Sequence, residues 1–261
     1  MNRLTRKLSE IKSNNKKALV GYLVAGDPDI ETTVELMKLF SSSGVDIIEI
    51  GVPFTDPIAE GPIIQKAHDR ALKKDTSLIS IFQMIEKYRE FDDETPLVLM
   101  GYLNTFIYHK KLIENNQNNA VDSILVVDIP GELNLGDYGV KSNNINTISL
   151  ISPTTKKDRV KLIAENSTGF VYYVTLRGVT GSSNLNIDEI KKNIKEIKRY
   201  ASVPTLAGFG IKSIEDAKLL ADCSDGVIIG SSLVQMIEQG SEKKEFDRIG
   251  KYISEIKKAI S

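Results

Sequence analysis

The stretch Ile48-Glu49-Ile50-Gly51-Val52-Pro53-Phe54-Thr55-Asp56-Pro57-Ile58-Ala59-Glu60-Gly61-Pro62 joins a strand-like apolar run to a loop rich in proline and glycine. Glu49 interrupts the run that extends from Ile47 to Val52. A carboxylate in a buried strand is costly unless it is paired, hydrogen-bonded or used. A second carboxylate, Glu60, follows on the loop. One acid on a rigid element and one on a movable element suit general acid–base chemistry at a single pocket.

Runs of the same apolar, β-branched kind recur along the chain at 18–25, 45–50, 97–102, 123–127, 147–151, 170–174, 203–207 and 226–230. Several are continuously hydrophobic, as strands covered on both faces must be. Amphipathic helical patterns lie between them at 30–43, 78–88, 156–165, 187–200, 214–220 and 231–260. Repeated strand–helix alternation means parallel strands with right-handed crossovers, and eight such units close into a barrel. Leu4, Leu8 and Ile11 recur at helical spacing, so an extra N-terminal helix is expected to cap the barrel's bottom. No linker or low-complexity stretch interrupts the chain. The expectation is an α/β fold in which residues 1–261 form one (β/α)8 TIM barrel domain. Asn14 to Lys17 and Asn115 to Asn119 read as polar turns within it.

Composition narrows the function. The chain has 261 residues, 41% hydrophobic and 26% charged, and a net charge of −1. Near-neutrality argues against an electrostatic grip on nucleic acid or on anionic lipid. No apolar run approaches a membrane span, and the first residues lack the apolar core of a secretory signal. The single cysteine, Cys223, allows no internal disulfide, so a cytoplasmic location is expected. Cys223 reads as a small packing residue. The two histidines, His68 and His109, read as solvated helix residues, and no metal site is expected from them.

In a barrel of this kind, chemistry lies at the carboxyl ends of the strands. Glu49 falls near that end of the second strand and Glu60 in the loop beyond. Glu60 alone also fits an acid near a helix start. Late in the chain, Gly208-Phe209-Gly210 follows the seventh strand and Gly230-Ser231 opens the last helical pattern. Glycines there let backbone amides approach an anion, and the helix start adds its positive dipole end. Gly178-Val179-Thr180-Gly181 after the sixth strand reaches toward the same place. Any one of these is an ordinary tight turn, but three after successive strands read as a phosphate cradle. The small polar segment 177–186 suits a lid as well as a plain surface loop. Tyr22, Tyr102, Tyr172 and Phe209 fall in or just after strands. Together they imply a flat aromatic substrate with a phosphorylated tail, although each alone fits core packing.

These motifs, in this order, resemble the tryptophan synthase alpha subunit family. The resemblance rests on Gly26-Asp27-Pro28, the segment from Glu49 to Pro62, Gly178 to Gly181, Gly208 to Gly210, and Gly230-Ser231. It implies a (β/α)8 barrel that cleaves indole-3-glycerol phosphate into indole and glyceraldehyde 3-phosphate. On that resemblance Glu49 is the proton-transfer residue and Glu60 the acid that meets the indole N–H. Tyr22, Tyr172 and Phe209 line the indole pocket, with Tyr22 at a position that is usually phenylalanine. Gly181, Gly210, Gly230 and Ser231 form the phosphate cradle. Asp56 and Pro57 lie on the segment that meets a beta subunit, in an expected α2β2 heterotetramer. No cofactor is expected in this chain; pyridoxal phosphate belongs to the partner.

One departure stands out: glutamate occupies position 60, where the family usually has aspartate. The carboxylate is thereby moved out by a methylene. A stand-alone indole-glycerol-phosphate lyase shares every motif above, and the effect of a beta subunit on turnover separates it. Another phosphate-binding barrel, such as an isomerase, would release no indole. A catalytically weak allosteric subunit draws slight support from Glu60 and none from Glu49.

Overall fold

The computed structural model describes residues 2–116, 120–141, 144–175, 186–208, 210–211, 213–243 and 246–261, without the side chains of 242 and 243. Eight parallel strands close into a barrel in sequence order: β1 (Ala18–Val24), β2 (Ile47–Gly51), β3 (Leu97–Gly101), β4 (Ser123–Val126), β5 (Asn146–Ile151), β6 (Val171–Val174), β7 (Thr205–Gly208) and β8 (Gly226–Ile229). Side chains alternate between the two faces of each strand. Ala18, Val20, Ile47, Val98, Leu125, Ile148, Leu206 and Ile228 fill the interior, while Leu19, Leu23, Ile48, Ile50, Leu97 and Leu99 pack outward under the helices. With both faces covered, continuous apolar runs are the economical sequence for such strands.

The helices begin and end where local chemistry says they should. In α2 (Ile30–Ser43), the Asp29 side chain accepts the Thr32 N–H at 2.7 Å, and Gly44 ends the helix at φ 109°. In α3 (Pro62–Leu72), proline sits in the first turn after Gly61, where no amide hydrogen is missed. Ser77 and Ser80 form a capping box at the start of α4 (Leu78–Arg89). Two short helices, α5 (Leu103–Tyr108) and α6 (Lys110–Asn115), follow β3. The later crossovers are α7 (Lys157–Asn166), α8 (Ile187–Ile197) and α9 (Ile214–Ala221).

The predicted cap is present. The helix α1 (Arg3–Ser13) buries Leu4, Leu8 and Ile11 against the interior residues of the strands, closing the barrel's bottom. Asn15 turns the chain out of α1 with φ 53°. At Asn115 to Asn119 the described part is a built turn: the buried Asn116 amide donates to the Val121 carbonyl and accepts its N–H.

Two expectations are corrected. The helical pattern at 231–260 is two helices, α10 (Ser231–Lys243) and α11 (Asp247–Ile260). Strand–helix alternation also fails once. Among the described residues, β4 and β5 are joined by a 3-10 turn at Leu135–Tyr138 and no α-helix. Asn134 caps that turn and Gly139 ends it at φ 76°, so local turn chemistry replaces a helix there.

Candidate active site

Glu49 projects from β2 into the barrel in the same row as Tyr22 of β1 and Val98 of β3. It is 1% exposed, and its Oε1 atom has no hydrogen-bond partner among the described residues. Burial, with the nearby Glu60 charge second, pushes its carboxyl up to about 8. Glu60 is also buried, and burial raises it to about 7. Two acids with titrations moved into the neutral range can hold and release protons where ordinary carboxyls cannot.

The loop between β2 and α3 is held so that Glu60 turns inward. The Phe54 ring stacks on Tyr102 at 4.6 Å between centroids. The Ala59 N–H donates to the Tyr102 hydroxyl at 3.0 Å. The Phe54 N–H donates to His68 Nδ1 at 3.0 Å, and the Gln65 amide donates to the Glu60 carbonyl at 2.9 Å. Asp56 and Ile58 remain exposed and Pro57 half-buried, so one loop presents an acid inward and a surface outward.

Glu49 and Glu60 face a cavity of about 290 Å³ at the carboxyl ends of the strands. Tyr22 and Tyr172 stand on its walls among Met100, Val127, Leu150, Val174 and Ile228, and Gly210, Gly230 and Ser231 line it as well. Gly210 has φ 73°, a backbone state that favours glycine. Ser231 opens α10, so the positive end of that helix meets the cavity. The chamber therefore joins apolar walls, two protonatable acids and an anion-favouring rim. Among the described residues no cluster of three histidine, cysteine or acidic side chains is arranged to hold a metal.

Of the predicted site residues, Glu49, Glu60, Tyr22, Tyr172, Gly210, Gly230 and Ser231 all line this cavity. Gly181, Phe209 and segment 177–185 lie outside the described residues. Tyr102 is absent from the cavity wall and clamps the loop instead. Cys223 is half-buried, its thiol toward the Leu220 carbonyl, as a packing residue would be.

His68 is a correction. It is 2% exposed, with the second ring nitrogen, Nε2, 3.5 Å from the Tyr22 hydroxyl. Burial lowers its titration to about 4. The signal was available in the helix period: Ile64, Ala67, His68 and Ala71 share the buried stripe of α3. Sequence reading also missed Arg70 on α3, which grips Asp27 through both carboxylate oxygens at 2.7 and 2.8 Å and Glu238 of α10 at 2.6 Å. That bridge ties the loop after β1, α3 and α10 into one rim.

Comparison with known proteins agrees with this geometry. The family model described as tryptophan synthase alpha chain matches residues 8–261. The tryptophan synthase alpha chain of Nitrosomonas europaea is 40% identical, over 100% of this chain and 96% of that one. That of Neisseria meningitidis is 42% identical over 94% of each. The crystal structure of tryptophan synthase subunit alpha from Legionella pneumophila superposes with a TM-score of 0.90 at 37% identity, covering 100% of this chain and 98% of that one. Tryptophan synthase from M. tuberculosis, in its aminoacrylate-bound form, contains a chain that matches with a TM-score of 0.85 at 26% identity, covering 100% of both. With its closed barrel and paired acids, the chain belongs to the tryptophan synthase alpha chain family.

Proposed function

We propose that this chain is a lyase that cleaves indole-3-glycerol phosphate to indole and glyceraldehyde 3-phosphate, in the last steps of tryptophan biosynthesis. The observation that carries the reading is Glu49, a buried acid unpaired among the described residues and sharing an apolar chamber with Glu60. Indole is a poor leaving group while its ring is neutral and intact. Glu49 delivers a proton to the ring carbon that bears the tail, which turns the ring into an electron sink. The carbon–carbon bond then breaks, its electron pair returning to the ring as the ring nitrogen's positive charge is discharged. The tail hydroxyl loses its proton to Glu49 and becomes the aldehyde. Glu60 offsets the charge that develops on the ring nitrogen, an electrostatic role that is strong in a water-poor site. Tyr22, Tyr172 and Phe209 hold the ring, and Gly181, Gly210, Gly230 and Ser231 hold the phosphate.

The partner in this proposal is a tryptophan synthase beta subunit, in an α2β2 assembly whose pyridoxal phosphate sits in the beta subunit. Asp56 and Pro57 belong to the docking segment. The surface supports a partner there: Ile58 is 75% exposed, and Tyr108 at the end of α5 is 82% exposed. Tyr102 connects the two, bonding Ala59 beside Ile58 and immediately preceding α5. No described helix is long and apolar enough to cross a membrane; a cytoplasmic location is part of the proposal.

The test is indole release by the pure chain, repeated with a beta subunit present. Glu49→Gln is expected to abolish release while substrate binding stays measurable by calorimetry. Retained turnover in that variant removes Glu49 from the mechanism. A rate indifferent to the beta subunit favours the stand-alone lyase.

A further inference from the structure

Tyr22 carries a hydroxyl that an aromatic wall alone does not need. The oxygen is buried, and its described partner is His68 Nε2 at 3.5 Å, the outer edge of hydrogen-bond distance. His68 Nδ1 accepts the Phe54 N–H, so that nitrogen carries no proton. The ring is neutral, because burial lowers its titration to about 4. Its one ring proton therefore sits on Nε2 and faces the Tyr22 oxygen. A phenol that accepts there directs its own hydrogen elsewhere.

The place to which it can direct that hydrogen is defined by Gly51. A Cβ added at Gly51 would collide with the Tyr22 hydroxyl oxygen. The hydroxyl thus occupies the space of a side chain at position 51. Residues 49 and 51 lie on the same face of β2, one pleat apart. The phenol oxygen consequently stands one pleat along β2 from Glu49, whose Oε1 has no partner among the described residues.

We infer that the Tyr22 hydroxyl is the hydrogen-bond donor that receives Glu49 once Glu49 has given up its proton, and that His68 is the positioning residue that presents it. The inference rests on the reading of Glu49 as the proton carrier and deepens it. An ionised carboxylate in an apolar chamber must find a donor, and the candidates are few. Glu49 is faced by Tyr22 from β1, Tyr172 from β6 and Glu60 from the loop, with His68 and Tyr102 behind Tyr22. No lysine or arginine lines the cavity among the described residues. The Tyr172 hydroxyl also feels the Glu49 charge, but it lies against Gly208 of β7, which does not pair with β2. Glu60 acts on Glu49 as a second, like charge that raises its titration. The Tyr22 hydroxyl comes from the strand hydrogen-bonded to β2, at the position paired with Glu49. Its link through His68 to the Phe54 N–H also couples this donor to the loop that carries Glu60.

The test reads Glu49 directly and needs no turnover. Glutamate side chains are labelled with carbon-13 at the carboxyl, and the Glu49 signal is assigned by its loss in Glu49→Gln. Tyr22→Phe is expected to raise the Glu49 midpoint by about one pH unit, since the charged form loses a donor. His68→Asn keeps an acceptor for the Phe54 N–H but is too short to reach Tyr22. It is expected to produce a smaller rise, and none beyond that of Tyr22→Phe in the double variant. In steady-state cleavage, Tyr22→Phe is expected to lower kcat while leaving KM within twofold. An unchanged Glu49 midpoint in Tyr22→Phe overturns the inference, and so does a His68→Asn shift that adds in full to it. If instead Glu49→Gln releases indole normally, the reaction reading fails and the titration result stands on its own.

Discussion

Glu60 is the residue that, on the family resemblance, stands where aspartate is usual. Its carboxyl enters the chamber at the end of a loop fastened by Tyr102, His68 and Gln65. The longer side chain therefore extends from a backbone that is held. Glu60→Asp withdraws the charge by one methylene. Misplacement on this scale damages rate before affinity. The expected result is a fall in kcat of roughly tenfold with KM changed much less, measured by indole release. An unchanged kcat would show that the loop follows the shorter side chain. Glu49 was legible from sequence because an acid between Ile48 and Ile50 in a strand has few innocent explanations. His68 was not read correctly, since its charged neighbours Lys66, Asp69 and Arg70 hide the buried stripe to which it belongs.

At the level of elements, the strands follow the apolar runs to within a few residues, because burial on both faces leaves little freedom in composition. The β4–β5 crossover was less legible. Gly131, Gly136 and Gly139 signal turns, yet the expectation of regular alternation overrode them. The division of α10 from α11 was missed although the sequence signals it, since residues 238–245 carry no apolar side chain. The N-terminal helix was read correctly from three residues, and its energetic role can be checked. Leu4 is completely buried beneath the barrel. Leu4→Ala is expected to cost about 3 kcal/mol, the usual range for emptying a core leucine site. Chemical denaturation measures the loss, and activity per folded molecule is expected to stay unchanged because the cavity lies at the opposite end. A loss below about 1 kcal/mol would mean that α1 covers the bottom without supporting it.

For the molecule as a whole, the paired acids set how stability varies with pH. Both carboxyls titrate higher in the folded chain than the ordinary value of 4.5, at about 8 and about 7. The folded state therefore holds more protons than the unfolded state between about pH 4.5 and 8. Their contribution to stability is full below that window and is lost as pH rises through it. The melting temperature is expected to drop by several degrees from pH 5 to pH 8, a few kcal/mol being about that much in a chain of this size. Glu49→Gln, which cannot ionise, is expected to flatten the drop and to melt higher than the parent at pH 8. A slope that survives the substitution would place the titrating groups elsewhere. The rim glycines, the acids and the tyrosines were found from sequence because each breaks a local pattern. The remaining lining, Met100, Val127, Leu150 and Val174, breaks none, and only the barrel's register turns these residues inward.

The stopper made by Leu4, Leu8 and Ile11 has a consequence for traffic. Among the described residues the barrel is closed at its base, so traffic runs through its mouth. Glu60 lines that mouth, and the exposed Ile58 lies two residues before it on the same loop. A companion protein seated there would collect each departing heterocycle before water could carry it off.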